Sequence, residues 1–137
     1  MVLTAKGRYA VVCLIDIAGA KEAAPIPLSH ISLRQNISLN YLEQIFCKLK
    51  NAGLVNSVKG PGGGYFFAKP FSEITIKNIV DAVEEKMELT KCGNDAEKSC
   101  LKKGQKCAAH NLWQGLGSHI SHYLSNISIK DVLDNRI

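Results

Sequence analysis

Between Ser38 and Ala68 the chain reads as a capped amphipathic helix that stops at a glycine and runs directly into a hairpin with a glycine-rich tip. Few folds admit that succession. The segment SLNYLEQIFCKLKNAG places Leu39, Leu42, Phe46 and Leu49 at helical spacing. Ser38 can offer its hydroxyl to a free backbone N–H at the helix start, and Gly53 supplies the residue that ends it. LVNSV and GYFFA are short β-rich runs joined by KGPGGG, a turn dense in glycine and proline. Upstream, residues 28–35 (LSHISLRQ) predict a short helix with Leu28, Ile31 and Leu33 turned inward, followed by a brief turn, NI. Short helix, tight turn, capped helix and hairpin are the plan of a winged helix-turn-helix. The expected fold is therefore mainly α with a small β-hairpin: a winged helix-turn-helix plus a long dimerisation helix.

The remaining segments fit around this unit. Residues 4–22 predict a helix capped by Thr4, with Ala10, Leu14, Ile17 and Ala18 on one face, broken at AAPIP. After a boundary near Lys69–Ser72, residues 75–86 predict a helix capped by Thr75, with Ile76, Ile79, Val80 and Val83 on one side. A long helix over about 108–126 carries the stripe Leu112, Leu116, Ile120, Tyr123 and Ile127, widened by Trp113 and Leu124. Ser128 and Asp131 resemble a capping box for a last short helix, SIKDVLDN. The long helix has more apolar surface than the segments around it can cover, even with part of it packed on the first helix. A second copy of the chain is the expected cover, and a two-fold homodimer would set two recognition helices on successive half-sites of a palindrome. Residues 1–70 are thus a DNA-binding region. Residues 71–137 hold a cysteine loop (90–110) and the dimerisation helix, in one compact regulator with the first part.

Charge points the same way. The net charge of +5 lies wholly in residues 1–70, with eight Lys/Arg against three Asp/Glu; residues 71–137 carry nine of each. A basic half predicts a polyanion partner, here double-stranded DNA. With its apolar stripe buried, the third helix shows Asn40, Tyr41, Glu43, Gln44 and Lys48, groups able to meet base edges or phosphates. The helix start at Ser38 suits a backbone phosphate. Glu43 is a poor phosphate contact, but unpaired beside a wrong base it would act as a specificity filter. At the hairpin tip Lys59 can enter a minor groove, and Gly62 lets the backbone approach closely. The tip is not a nucleotide loop: it lacks the Lys-Ser/Thr of a P-loop and the GxGxxG spacing, and no helix follows. No catalytic triad, paired carboxylates or nucleotide loop argues for an enzyme.

Cys92, Cys100, Cys107 and His110 fall within nineteen residues, spaced Cys-x7-Cys-x6-Cys-x2-His in a Lys/Gly-rich stretch with little to pack. Three thiolates and an imidazole in such a stretch read as a metal site. The spacing lacks paired CxxC knuckles and admits either tetrahedral zinc or an iron–sulfur centre. Cys13 and Cys47 sit within helices and read as small buried or half-buried fillers. His30, His119 and His122 are isolated. No signal peptide or membrane span is expected, and an odd cysteine count disfavours a disulfide framework, so the expected compartment is the reducing cytoplasm.

Taken together, LTAKGRYAVVCLIDIA, ISLNYLEQIFCKLKNAGLV, VKGPGGGY, CAAHNLW and NISIKDVL resemble the IscR family of bacterial iron–sulfur cluster regulators, over nearly the whole chain. The resemblance implies a winged-helix homodimer with a crossed dimerisation helix, and a 2Fe–2S cluster held by Cys92, Cys100, Cys107 and His110. It implies a transcription factor, mainly a repressor of cluster-assembly genes, that gauges cluster supply, with the cluster-assembly machinery as donor. His110 favours this branch over relatives that sense nitric oxide, iron or cysteine metabolites. The chain departs from the pattern at Asn40 and Lys59, where serine and arginine are expected. It also has a longer cysteine loop and a shorter tail. The alternatives are a related nitric oxide- or iron-sensing cluster regulator, and a cluster-carrying redox protein without specific DNA binding.

Overall fold

The computed structural model describes residues 4–84 and 107–137; Cys92 and Cys100 lie outside the described residues. In order, α1 (Ala5–Gly19), α2 (Leu28–Gln35) and α3 (Leu39–Asn51) precede β1 (Val55–Val58) and β2 (Gly64–Phe67). A 3-10 turn (Phe71–Glu73), α4 (Ile76–Val83), α5 (His110–Ser125) and α6 (Ile129–Leu133) follow. Mainly helical structure with one two-stranded hairpin is the expected class.

The helix-turn-helix forms as its residues dictate. α2 ends at Asn36, whose left-handed φ of 54° turns the chain, a conformation asparagine tolerates better than most residues. Ile37 fills the turn and is buried. Ser38 caps α3, its Oγ accepting the Tyr41 N–H at 3.2 Å. Leu42, Ile45, Phe46 and Leu49 are the buried stripe of α3. Leu39, expected in that stripe, is exposed, and Ile45 takes its place. The set i, i+3, i+4, i+7 starts at Leu42, and Leu39 sits at the first helical position, beyond the edge of the core. Leu33, also expected inward, is 83% exposed. It lies two residues past buried Ile31, on roughly the opposite side of α2.

The hairpin pairs Val55 with Phe67 and Val58 with Gly64. Ile26 joins its edge, exchanging backbone hydrogen bonds with Tyr65 at 2.9 and 2.8 Å. Gly64 permits that approach: a Cβ there would strike the Ile26 carbonyl.

α1 is shorter than the expected 4–22, leaving the helix after Gly19. Glu22 instead reaches back to α2, accepting Arg34 Nη1 at 2.9 Å and meeting His30 Nδ1 at 2.8 Å. Thr4 stands at the N-cap position of α1, but its hydroxyl makes no cap and donates to Glu84. α4 ends at Val83 rather than continuing to 86, because Glu84 is extended.

One apolar core joins both ends of the chain. Ala10, Leu14, Leu42, Phe46, Leu49 and Val55 share it with Ile74, Ile79, Val80 and Ile129. Each fully buried aliphatic or aromatic side chain stabilises the fold by about 1.5–3 kcal/mol relative to exposure. Capping boxes at Thr75–Asn78 and Ser128–Asp131 set the starts of α4 and α6. Ile76 N–H to Ile127 O (2.8 Å) and Ile129 N–H to Ile74 O (3.0 Å) tie the two starts together. α6 packs on α1, whereas α5 lies against α4, so the first helix is covered by the last short helix and not, as expected, by the long one. No helix among the described residues is long and apolar enough to cross a membrane.

Candidate nucleic-acid interface and metal-ligand pair

Burial of the Leu42–Ile45–Phe46–Leu49 stripe turns Asn40, Glu43 and Gln44 outward, and all three are exposed. They line an open groove completed by Cys47, Lys48, Asn51 and, from α1, Lys6. Cys47 is therefore exposed on this face rather than a buried filler, with Asn51 Nδ2 at 3.9 Å from its Sγ. Lys48 is half-buried, its ammonium 3.5 Å from the Val83 carbonyl. Tyr41 is also half-buried; its ring meets Tyr9 edge-on, centroids 5.8 Å apart, so it is less free than its neighbours. Glu43 has no hydrogen bond or ion pair among the described residues, which leaves its carboxylate open to the groove. Lys6, Cys47 and Asn51 were not expected on this face. Asn51 and Cys47 follow Gln44 at helical spacing and were legible; Lys6 arrives by a tertiary contact.

The wing is anchored to α3. Lys50 donates to Ser57 Oγ in β1 at 2.7 Å, and the Phe46 and Tyr65 rings lie 4.9 Å apart. Lys59 stands exposed at the tip, next to Gly60 and Gly62 with φ of 89° and 75°. The tip conformation is one that glycine adopts without strain.

α5 has the opposite character. Leu112 (63% exposed) and Tyr123 (59%) stand out with Trp113 and Leu116, while Ile120 is intermediate and Leu124 packs partly on the core. These large apolar side chains are left uncovered among the described residues.

Where α5 starts, one backbone turn spans two of the expected ligands, Cys107 and His110. The His110 N–H donates to the Cys107 carbonyl at 3.1 Å. His110 is 7% exposed and Cys107 is half-buried. Cys92 and Cys100 lie outside the described residues, so the described residues hold only half of the expected ligand set. Cys13 is different: it is fully buried, and burial, with the nearby Asp16 charge, pushes its thiol up to about 12. It stays protonated and serves as core filler.

A family model described as "Rrf2: Iron-dependent Transcriptional regulator" matches residues 3–135. The chain belongs to the Rrf2 family. It is 44% identical over 136 residues to the HTH-type transcriptional regulator IscR of Escherichia coli O1:K1, covering 99% of this chain and 82% of that protein. The structure of T. potens IscR superposes with a TM-score of 0.78 at 27% identity, over 100% of this chain and 89% of the other. CymR, the global cysteine regulator of B. subtilis, gives 0.79 at 26%, over 98% of both chains. As an Rrf2 regulator the protein is a winged-helix transcriptional regulator, and its relatives are named as regulators rather than enzymes. The expected fold and family are borne out.

Proposed function

We propose that this Rrf2 protein represses cluster-assembly genes as a homodimer whose operator choice follows occupancy of a 2Fe–2S site. The supporting observation is that one chain presents a polar α3 face with a wing and, separately, a Cys107–His110 pair at the base of an exposed apolar helix. On DNA, Ser38 at the α3 N-terminus takes a phosphate, while Asn40, Tyr41, Gln44 and Lys48 meet the major groove. Lys59 enters the flanking minor groove and Gly62 allows close approach. Glu43 penalises sequences that present no amine to it. Leu112, Trp113, Leu116, Ile120, Tyr123 and Leu124 meet their copies in the partner, which spaces the two α3 helices along a palindrome.

Cys92, Cys100, Cys107 and His110 would hold the cluster. Three thiolates and one imidazole suit it chemically, and of the four the described residues hold half-buried Cys107 and buried His110 within one backbone turn. When bound, the cluster supplies an iron- and sulfide-dependent centre that the cell's assembly machinery would deliver in the cytoplasm. The protein's own part is to keep His110 shielded at the start of the dimer helix, so that ligand binding and dimer packing meet at one point. The test is elemental. Anaerobically purified protein should contain about two iron and two acid-labile sulfide per chain, as a 2Fe–2S centre requires. Zinc without sulfide would remove the sensor and leave a plain winged-helix regulator.

A further inference from the structure

The groove on α3 is not built by α3 alone. Lys6, from the first turn of α1, lines it beside Asn40, Glu43 and Gln44. Lys6 also borders the neighbouring cleft formed with Thr4, Tyr41, Lys48 and Glu84, so it stands at the seam between α1 and α3. Its side chain is half-buried, yet its ammonium has no hydrogen bond or ion pair among the described residues. Lys50 and Lys77, by contrast, are held by Ser57 at 2.7 Å and Asp81 at 2.6 Å, while Lys59 at the wing tip shares with Lys6 the lack of such a partner among the described residues.

Glu84 fixes where Lys6 begins. It is 8% exposed, and its Oε1 accepts the Thr4 N–H at 2.8 Å together with the Thr4 hydroxyl. Its Oε2 is buried with no partner among the described residues. A Cβ on Gly7 would come within 2.9 Å of Oε1, so α1 lies directly on the carboxylate. A buried, half-satisfied carboxylate is costly to keep, and this one holds the two-residue approach to Lys6.

We propose that Lys6 is a phosphate-contacting residue of the DNA interface and that Glu84, through Thr4, is its positioning residue. This rests on the reading of α3 as the DNA-binding helix. A flexible ammonium is a point charge without the fork that reads guanine, so its contact is with the backbone, common to all sequences. It also offsets Glu43, which would otherwise repel phosphates at that wall of the groove.

The test is fluorescence anisotropy of the full chain on two duplexes, one of scrambled sequence and one enriched by this protein from a random pool, across a salt series. Lys6→Ala should flatten the slope of log K against log salt by about 0.9 for each Lys6 lost. Both duplexes should weaken by the same factor, and Lys6→Arg should keep the wild-type slope. Glu84→Ala should weaken both duplexes, and the double variant should bind no worse than Lys6→Ala alone. If Glu84→Ala fails to fold by circular dichroism, Thr4→Val takes its place in the cycle. An unchanged slope in Lys6→Ala overturns the phosphate contact, and additive losses in the double variant overturn the positioning role. Wild-type protein with no salt-dependent binding to either duplex would instead defeat the DNA-binding reading itself.

Discussion

α3 and α5 are of similar length, 13 and 16 residues, yet they are completed by different things. α3 buries Leu42, Ile45, Phe46 and Leu49 inside its own chain and shows polar groups outward. α5 buries only His110 and Gly117 and shows Leu112, Trp113, Leu116 and Tyr123. A helix whose apolar stripe is satisfied internally is left with a face suited to a hydrated, charged partner. A helix whose stripe is left open needs an apolar partner, and the same stripe on a second copy is self-complementary. The contrast separates the surface proposed to read DNA from the one proposed to assemble the regulator, and each can be attacked alone.

The largest effect should come from the internal side of α3. Phe46→Ala removes a fully buried ring packed on Tyr65 and should cost about 3–5 kcal/mol in urea unfolding. A loss below 1 kcal/mol would mean that this side of α3 is not core. Leu116→Glu addresses the open side of α5. It should leave the monomer fold intact while shifting analytical ultracentrifugation from dimer to monomer, with about 1.5–3 kcal/mol lost per protomer from leucine burial alone. A variant that stays dimeric places the partner elsewhere. Glu43→Ala acts on the polar face and should change neither stability nor oligomeric state. Its effect should be relaxed choice between operators, by about 1–3 kcal/mol in relative affinity; equal ratios before and after would end the filter role.

The smallest effect concerns the α1–α2 junction beneath the reading head. Burial alone would raise the Asp16 pKa, but hydrogen bonds from Arg34 and Gln35, with the Arg34 charge, outweigh it and hold the carboxyl below its ordinary range. Its contribution is therefore complete above the unfolded value, about 3.9, and is lost as pH falls through the lower folded value. Asp16→Asn should flatten the acid side of the stability profile and leave its slope near neutral pH unchanged. An unaltered acid limb would show that the Arg34 pair contributes nothing.

Much of this was legible because local chemistry agreed with the tertiary outcome. Ser38, Asn36, Gly53 and the tip glycines act within a few residues of themselves, and the hairpin, the Thr75 cap and the Ser128–Asp131 capping box formed where their residues called for them. Errors came where distance in sequence hid the partner. Thr4 looks like a cap until Glu84, eighty residues on, takes its hydroxyl. Three other misses are local: Leu33 and Leu39 are apolar by type but sit off the buried stripe, and Cys47, next in sequence to buried Phe46, falls on the wet face. The candidate site was read at its α3 and wing residues because those share one helix face and one turn. Lys6 was not, because it enters from another helix. For the metal ligands, the structure bears on Cys107 and His110 alone, and their pairing across one turn follows from their three-residue spacing.

The most direct test of the account compares apo and reconstituted protein on the same panel of duplexes at fixed salt, with cluster content measured in each sample. Coupling between the ligand set and the DNA face predicts that the two forms rank the duplexes differently, by about 1–3 kcal/mol for at least one operator. By reciprocity, the duplex preferred by the loaded form should slow cluster loss. Identical affinities of both forms for every duplex, with no effect of DNA on cluster retention, would contradict it.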